Sequence, residues 1–325
     1  MNDLVLATDE TAIQTADFAE LLQSAERYAS QSKAANTVRA YEIHWQDFTT
    51  WCRKGGLVSL PANPKSIALY ITAQADAGRK VATISARLAA ISKAHSAAGF
   101  ESPTSLRHAV VAEVWGGIKR SKGTAQCAKS AAITDTVRQM LSCLPSGLLG
   151  VRDRALLLVG FAGAFRRSEL VALDVADVRD VPEGLVITVR RSKTDQEGAG
   201  RLVALPYGSG LESCPVRSLR AWLVESGITA GALFPSINRH GQAGTRITAQ
   251  SVALIVKRYV EAAGLDAALF AGHSLRAGLA TSAAIAGVSE RAIMAQTGHK
   301  SAAMVRRYIR DGNLFRENAA AKVGL

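Results

Sequence analysis

Six residues in the second half of this 325-residue chain have side chains suited to one kind of chemistry: Arg166, Lys193, His273, Arg276, His299 and Tyr308. Two arginines, a lysine and two histidines can surround an anion, and a tyrosine offers an oxygen nucleophile. Together they suit the holding of a phosphodiester while a tyrosine attacks it. Neither a serine-nucleophile motif nor a carboxylate pair accompanies them.

Each residue has a plainer reading beside the chemical one. Arg166 and Glu169 are three apart, so on a helix they share a face, and the carboxylate can orient the guanidinium. A surface ion pair of little consequence would look the same locally. What favours the first is that Arg166 follows a long apolar stretch, Ala155 to Phe165, where a solvated arginine is less expected. Lys193 lies in the polar turn Ser192 to Gly200, between two strand-like segments. It is either a solvated turn lysine or an ammonium that reaches over a bound backbone and gives a proton to a leaving oxygen. His273 and Arg276 open the segment HSLRAGLATSAAIAG; at a helix start they would face one spot where backbone amides also favour an anion. The Ala, Gly and Ser residues behind them permit close packing against a neighbour. In TGHKSAAMVRRYI, Gly298 ends a helix begun near Ser289, His299 sits in the turn and Ser301 caps the next helix. Tyr308, between Val305 and Ile309, could be a core tyrosine, but Arg306 and Arg307 directly before it argue for another use.

The totals agree with an anionic partner. The net charge is +12, with 15 Lys+Arg against 11 Asp+Glu in residues 1–130 and 24 against 16 in residues 131–325. Both halves are basic, which fits two lobes around nucleic acid better than a single basic tail. Hydrophobic content of 48% and 20% charge describe a folded chain. The four cysteines, Cys52, Cys127, Cys143 and Cys214, lack CxxC spacing and point to a reduced, intracellular (cytoplasmic) setting. The beginning MNDLVLATDE lacks the pattern of a secretory leader, and the longest apolar run is too short to span a bilayer. None of the six histidines has metal-ligand spacing, and no phosphate- or dinucleotide-binding glycine loop occurs, so no cofactor or metal is expected.

Helical periodicity dominates residues 16–120. Helices are expected over 16–29, from an Asn36 or Thr37 cap to Gly55-Gly56, from a start bracketed by Pro61 and Pro64 to Gly78, over 81–98 and over 105–118. Residues 120–130, basic and unpatterned, read as a linker. Helices follow over 134–144 and 151–165, then strands over 185–189 and 201–205, with 175–181 as a third; after Cys214 the chain reads as helical to its end. Arg39, Arg79, Lys80 and Arg87, at helix ends in the front half, are candidate DNA contacts or simply solvated charges.

The order Arg…Lys…His-x-x-Arg…His…Tyr resembles that of the tyrosine recombinases, also called the phage integrase family. The stretches NTVRAYEIHWQDFTTWC, PANPKSIALYI and TISARLAAISKAH resemble the core-binding domain of its Cre-like members. The similarity runs over nearly the whole chain after about residue 15 and is most specific in residues 163–312. It implies a mainly α fold with a small antiparallel β-sheet in the C-terminal domain (α+β), forming a two-domain C-shaped DNA clamp. The expected organisation is a flexible start (1–15), a helical core-binding domain (16–120), a linker (121–132) and a catalytic domain (133–325). The resemblance also implies roles: Tyr308 as nucleophile forming a 3′-phosphotyrosyl bond, Arg166 and Arg276 on the non-bridging oxygens, and Lys193 as general acid. His273 would assist proton transfer, His299 would donate to the phosphate and Glu169 would orient the others. The implied partners are double-stranded DNA with an inverted-repeat site and three further copies of the chain, forming a homo-tetramer on DNA from free monomers and exchanging strands through a Holliday junction, with no membrane involved.

Two departures stand out. The arginine box reads Ala-Phe-Arg-Arg where the family more often has Gly-Leu-Arg and a hydrophobic residue, so Arg167 competes for the role, although Glu169 is in register with Arg166. The segment after Tyr308 is short; if it forms the terminal helix that docks on a neighbouring protomer in Cre-like relatives, Leu314 and Phe315 are its apolar anchors. Two other functions stay open: strand relaxation of the type IB topoisomerase kind, and a non-catalytic regulator in which GVSERAIMAQTGHKSAAMVRRYI is a helix-turn-helix.

Overall fold

The computed structural model describes residues 16–31, 35–124, 129–192, 195, 198 and 200–313. The chain divides into two compact units, Met1–Cys127 and Ala128–Leu325.

Among its described residues the first unit is helical: α1 (Ala16–Gln31), α2 (Ala35–Lys54), α3 (Pro64–Asp76), α4 (Val81–Ala97) and α5 (Ala109–Lys122). The punctuation works as sequence rules dictate. Asn63 accepts the Lys65 amide at 2.9 Å while Pro64 occupies the first helical position, where its missing N–H costs nothing. Phe48 from α2, Ile67, Tyr70 and Ile71 from α3, Ile84 and Ile91 from α4, and Val111 from α5 are all sealed from solvent. Two boundaries differ from expectation. α2 starts at Ala35, which puts Asn36 and Thr37 within its first turn. α5 starts only at Ala109, because residues 105–108 turn first (the His108 amide reaches the Ser105 carbonyl at 3.1 Å), and it continues to Lys122.

The second unit opens with α6 (Thr134–Ser142) and the apolar α7 (Leu148–Ala162), followed by α8 (Arg167–Ala172). A three-stranded antiparallel meander comes next: β1 (Val178–Val181), β2 (Gly184–Val189) and β3 (Arg201–Pro206), in the order β1-β2-β3. Leu185, Ile187 and Val189 of β2 and Val203 and Leu205 of β3 face the core, while Leu202 stays exposed, as period-2 alternation requires. Helix α9 (Pro215–Ser226) precedes a second hairpin, β4 (Pro235–Ile237) with β5 (Ala243–Arg246). The expectation of helices alone after Cys214 is therefore wrong. These strands are three and four residues long and β5 is wholly exposed, so neither carries an apolar alternation to read. The unit closes with α10 (Ala249–Ala262), α11 (Ser274–Ile285), α12 (Glu290–Thr297) and α13 (Ala302–Asn313). The small-residue face of α11 does receive a close neighbour. A methyl group on Gly278 would lie 1.9 Å from the Ala132 carbonyl oxygen, so backbone crosses backbone there with no side chain between. Among the described residues no helix is long and apolar enough to cross a membrane.

Candidate active site

Arg166 is the extended cap residue just before α8, directly after buried Phe165. Its backbone amide donates to Glu169 Oε2 at 3.0 Å and its Nη1 to Oε1 at 2.6 Å. Glu169 is buried and satisfies a third donor, Nη2 of Arg201 at 3.2 Å. Arg167, the competing arginine, makes no such bond; its side chain lies against Gly272, where an added methyl would meet it at 1.9 Å. Between α7 and α8 the turn passes through Ala164, whose φ of +48° is a backbone state that side-chain-bearing residues seldom adopt. The strain sits where the box has Ala. Its carbonyl is what anchors Arg276, which donates to it from Nη1 at 2.7 Å.

Arg276 is fully buried, and its Nε and Nη2 have no hydrogen-bond partner among the described residues. Burial, reinforced by Arg166 and Arg201 and opposed by Glu169 and Tyr308, lowers its pKa to about 10, still cationic at neutral pH. Two buried, unmet N–H donors on a cation are an anion site in physical terms. His273, immediately before α11, places Nε2 3.0 Å from the Tyr308 hydroxyl. Desolvation, then Arg276, Arg166 and Arg167, lowers its pKa. His299 follows Gly298, which caps α12 in the left-handed conformation and lies under Arg201. Its ring centroid is 6.0 Å from that of Tyr308. Burial, then Arg276, Arg166, His273 and Arg201, pushes His299 down to about 4, so it is neutral near pH 7.

Tyr308 combines both sequence readings. Val305 of the same helix fills a small cluster with Ala280, Ala284 and Ile293; Tyr308 and Ile309 pack against it, and the Tyr308 hydroxyl reaches out to His273. Arg306 and Arg307 point to solvent, Arg306 bonding Glu290 at 3.0 Å. Five of the six candidates thus surround one spot. Lys193, Leu314 and Phe315 lie outside the described residues, as do 1–15.

Of the front-half candidates, Arg39, Arg79 and Lys80 are exposed. Arg87 is not: it is buried and its Nη1 bonds Asp47, Tyr70 at 2.9 Å and Gln74 at 2.7 Å, which takes it out of the set of available DNA contacts. Three residues in the site were missed from sequence. Arg201 bridges Glu169 and, at 3.1 Å, the Gln296 carbonyl; the Gln296 amide ties Ala162 (2.8 Å) to Ala204 (3.1 Å); Thr297 touches His299. Arg201 did carry a signal, since it shares the inward phase of β3 with Val203 and Leu205. The described residues include no cluster of three or more His, Cys, Asp or Glu able to hold a metal.

A basic chain with a buried guanidinium, paired histidines and a tyrosine on a helical frame defines a class that the comparisons identify. Residues 133–313 match the model of the phage integrase family, and the chain belongs to that family, the tyrosine recombinases. It is 45% identical over 298 residues to the integrase/recombinase xerD homolog of Selenomonas ruminantium, covering 91% of this chain and 87% of that protein. It is 25% identical over 296 residues to recombinase cre of Escherichia phage P1, covering 85% and 83% respectively. Among solved structures, XerH site-specific recombinase bound to palindromic difH substrate has a similar fold, with a TM-score of 0.63 at 18% identity over 95% of this chain and 84% of that one. The chain is accordingly a recombinase, mainly helical with small antiparallel sheets.

Proposed function

We propose that this recombinase cuts duplex DNA by attack of the Tyr308 hydroxyl on a scissile phosphate, forming a 3′-phosphotyrosyl bond and releasing a 5′-hydroxyl. The observation that carries the reading is the pairing of Tyr308 with His273, at 3.0 Å, beside the two unmet donors of buried Arg276. In this reading His273, neutral because its pKa is lowered, accepts the phenolic proton as the O–P bond forms. Arg276 and Arg166 hold the non-bridging oxygens and offset the charge that grows in the transition state. Glu169 orients Arg166, His299 donates to the phosphate, and Lys193 protonates the leaving 5′-oxygen.

The phosphotyrosine keeps the energy of the broken bond, so a second strand can reseal it without ATP or a metal. Four protomers on two inverted-repeat sites then exchange strands through a Holliday junction, starting from free monomers in the cytoplasm. Both units would contact the duplex, with Arg39, Arg79 and Lys80 of the first unit among the phosphate contacts. Binding should weaken by roughly 10³-fold or more between about 50 and 200 mM salt if several phosphates are neutralised.

The test uses a nicked suicide substrate. Wild type should trap a covalent DNA adduct that Tyr308→Phe cannot form, while both bind DNA. A Tyr308→Phe adduct would sink the assignment. Relaxation of any supercoiled plasmid without a specific site would favour the topoisomerase-like reading.

A further inference from the structure

Thr297 is buried at the last turn of α12, and its single hydroxyl has two close partners. Oγ1 lies 2.7 Å from the Ile293 carbonyl oxygen and 2.7 Å from Nδ1 of His299. A threonine bonding the carbonyl four residues back is ordinary in helices and by itself means little. The second contact decides the matter. A carbonyl can only accept, so the hydroxyl must spend its one hydrogen on Ile293; otherwise two oxygens meet at 2.7 Å with nothing between them. Oγ1 then has only lone pairs to offer His299, and Nδ1 must carry the hydrogen. The neutral ring therefore has a bare Nε2.

We propose that Thr297 is a positioning residue that fixes His299 as the Nδ1–H tautomer, so that this ring donates to a bound phosphate from Nε2 only after taking a proton there. The consequence for cleavage rests on the reading of the preceding subsection; the tautomer itself does not. The groups facing the ring are Arg276 and His273 at the start of α11, Arg166 before α8, Arg201 of β3 and Tyr308 of α13. The cations and the burial keep the ring neutral in the free chain. An incoming phosphate brings the opposite charge to that spot, and a proton from solvent at Nε2 then completes an imidazolium that donates from both nitrogens. DNA binding would thus be coupled to proton uptake at His299.

The experiment begins with nitrogen NMR of ¹⁵N-histidine-labelled full-length chain without DNA, with His299→Gln giving the assignment. Wild type and Thr297→Ser should show a protonated Nδ1 and a bare Nε2 at His299. Thr297→Val, similar in shape but lacking the hydroxyl, should lose that signature and populate the Nε2–H form. Single-turnover cleavage of the suicide substrate then gives the functional arm. Protonation of His273 lowers all three rates alike, so the ratio of the wild-type or serine rate to the valine rate should rise toward acid as the His299 ring protonates, because the neutral valine-variant ring can already donate from Nε2. A wild type in the Nε2–H form, a valine variant that keeps Nδ1–H, or a serine variant that behaves like valine overturns the assignment. Wild type and valine variants with coincident pH profiles overturn the coupling to cleavage. A wild type with the expected signature and no cleavage sinks the strand-cutting reading instead.

Discussion

Arg87 in the first unit and Arg276 in the second are both buried and are handled in opposite ways, while Arg152, also buried in the second, pairs with Asp153 inside the fold. In the first, Arg87 spends its Nη1 on Asp47, Tyr70 and Gln74, groups from two different helices of the same small core. In the second, Arg276 is more deeply buried yet has one carbonyl for a partner, while the nearest carboxylate, Glu169, is occupied by Arg166 and Arg201. Burying a cation costs free energy unless it is paired. Arg87 recovers much of that cost through a carboxylate inside the fold, with Nε alone of its nitrogens buried and unmet. Arg276 leaves it outstanding, as expected of a group whose counter-charge comes from a ligand. The histidines repeat the contrast. His95 of α4 accepts the Ala62 amide at Nε2 (2.8 Å) and donates from Nδ1 to Ile91 (2.8 Å), so both nitrogens are used. His299 has Thr297 on one side only.

Exchanging arginine for lysine at both positions should separate the two roles most sharply. Arg276→Lys keeps the charge but loses the planar fork, and single-turnover cleavage should fall by about 10²–10³-fold with the melting temperature almost unchanged. Arg87→Lys should do the reverse, lowering stability by about 2 kcal/mol in denaturant unfolding while the folded fraction cuts normally. Equal loss of cleavage in both variants would dissolve the distinction.

A smaller effect should come from pH. Burial holds the His95 pKa below its ordinary value. The unfolded chain takes up this proton below about pH 6.5 and the folded chain resists it to a lower pH. The contribution of His95 is therefore intact above that value and is lost as pH falls through it. Protection factors of α4 amides, corrected for the slower intrinsic exchange in acid, should fall on acidification across that window in wild type and less so in His95→Gln; identical acid responses would contradict the assignment. The smallest change is expected from Ala164→Gly, which removes the penalty of a side chain at φ +48°. Thermal melting should rise by a few degrees, about 1 kcal/mol, with cleavage little altered.

Much of this was legible beforehand, and the parts that were not have physical reasons. Arg166 with Glu169, His273 with Arg276, and Gly298 before His299 are local patterns in which short-range spacing already dictates who meets whom. Strands β2 and β3 stand out as short apolar runs, the first rich in β-branched residues, on either side of a polar turn. Arg201 and Gln296 meet the site only through tertiary packing, across 32 residues from Glu169 to Arg201 and 95 from Arg201 to Gln296, whereas Thr297 is only two residues from His299 and was missed because a threonine at a helix end shows no sign of turning its hydroxyl to that ring. No local rule reports such pairs. Arg87 misled for a related reason: on its own helix it looks like any charged residue, and its partners lie on two others, α2 and α3.

The bare seam at Gly278 has a mechanical consequence. The chain enters its second unit by laying residues 130–134 across α11, with the Ala132 amide on the Ser274 carbonyl (2.9 Å) and the Thr134 amide on the Ser282 hydroxyl (3.0 Å). With no side chain to act as a cushion, the entering segment and the helix are riveted along about two turns. Arg276, two residues and about 200° round the helix from Gly278, leaves by the opposite face, so the seam fixes the helix from which it reaches the Ala164 carbonyl.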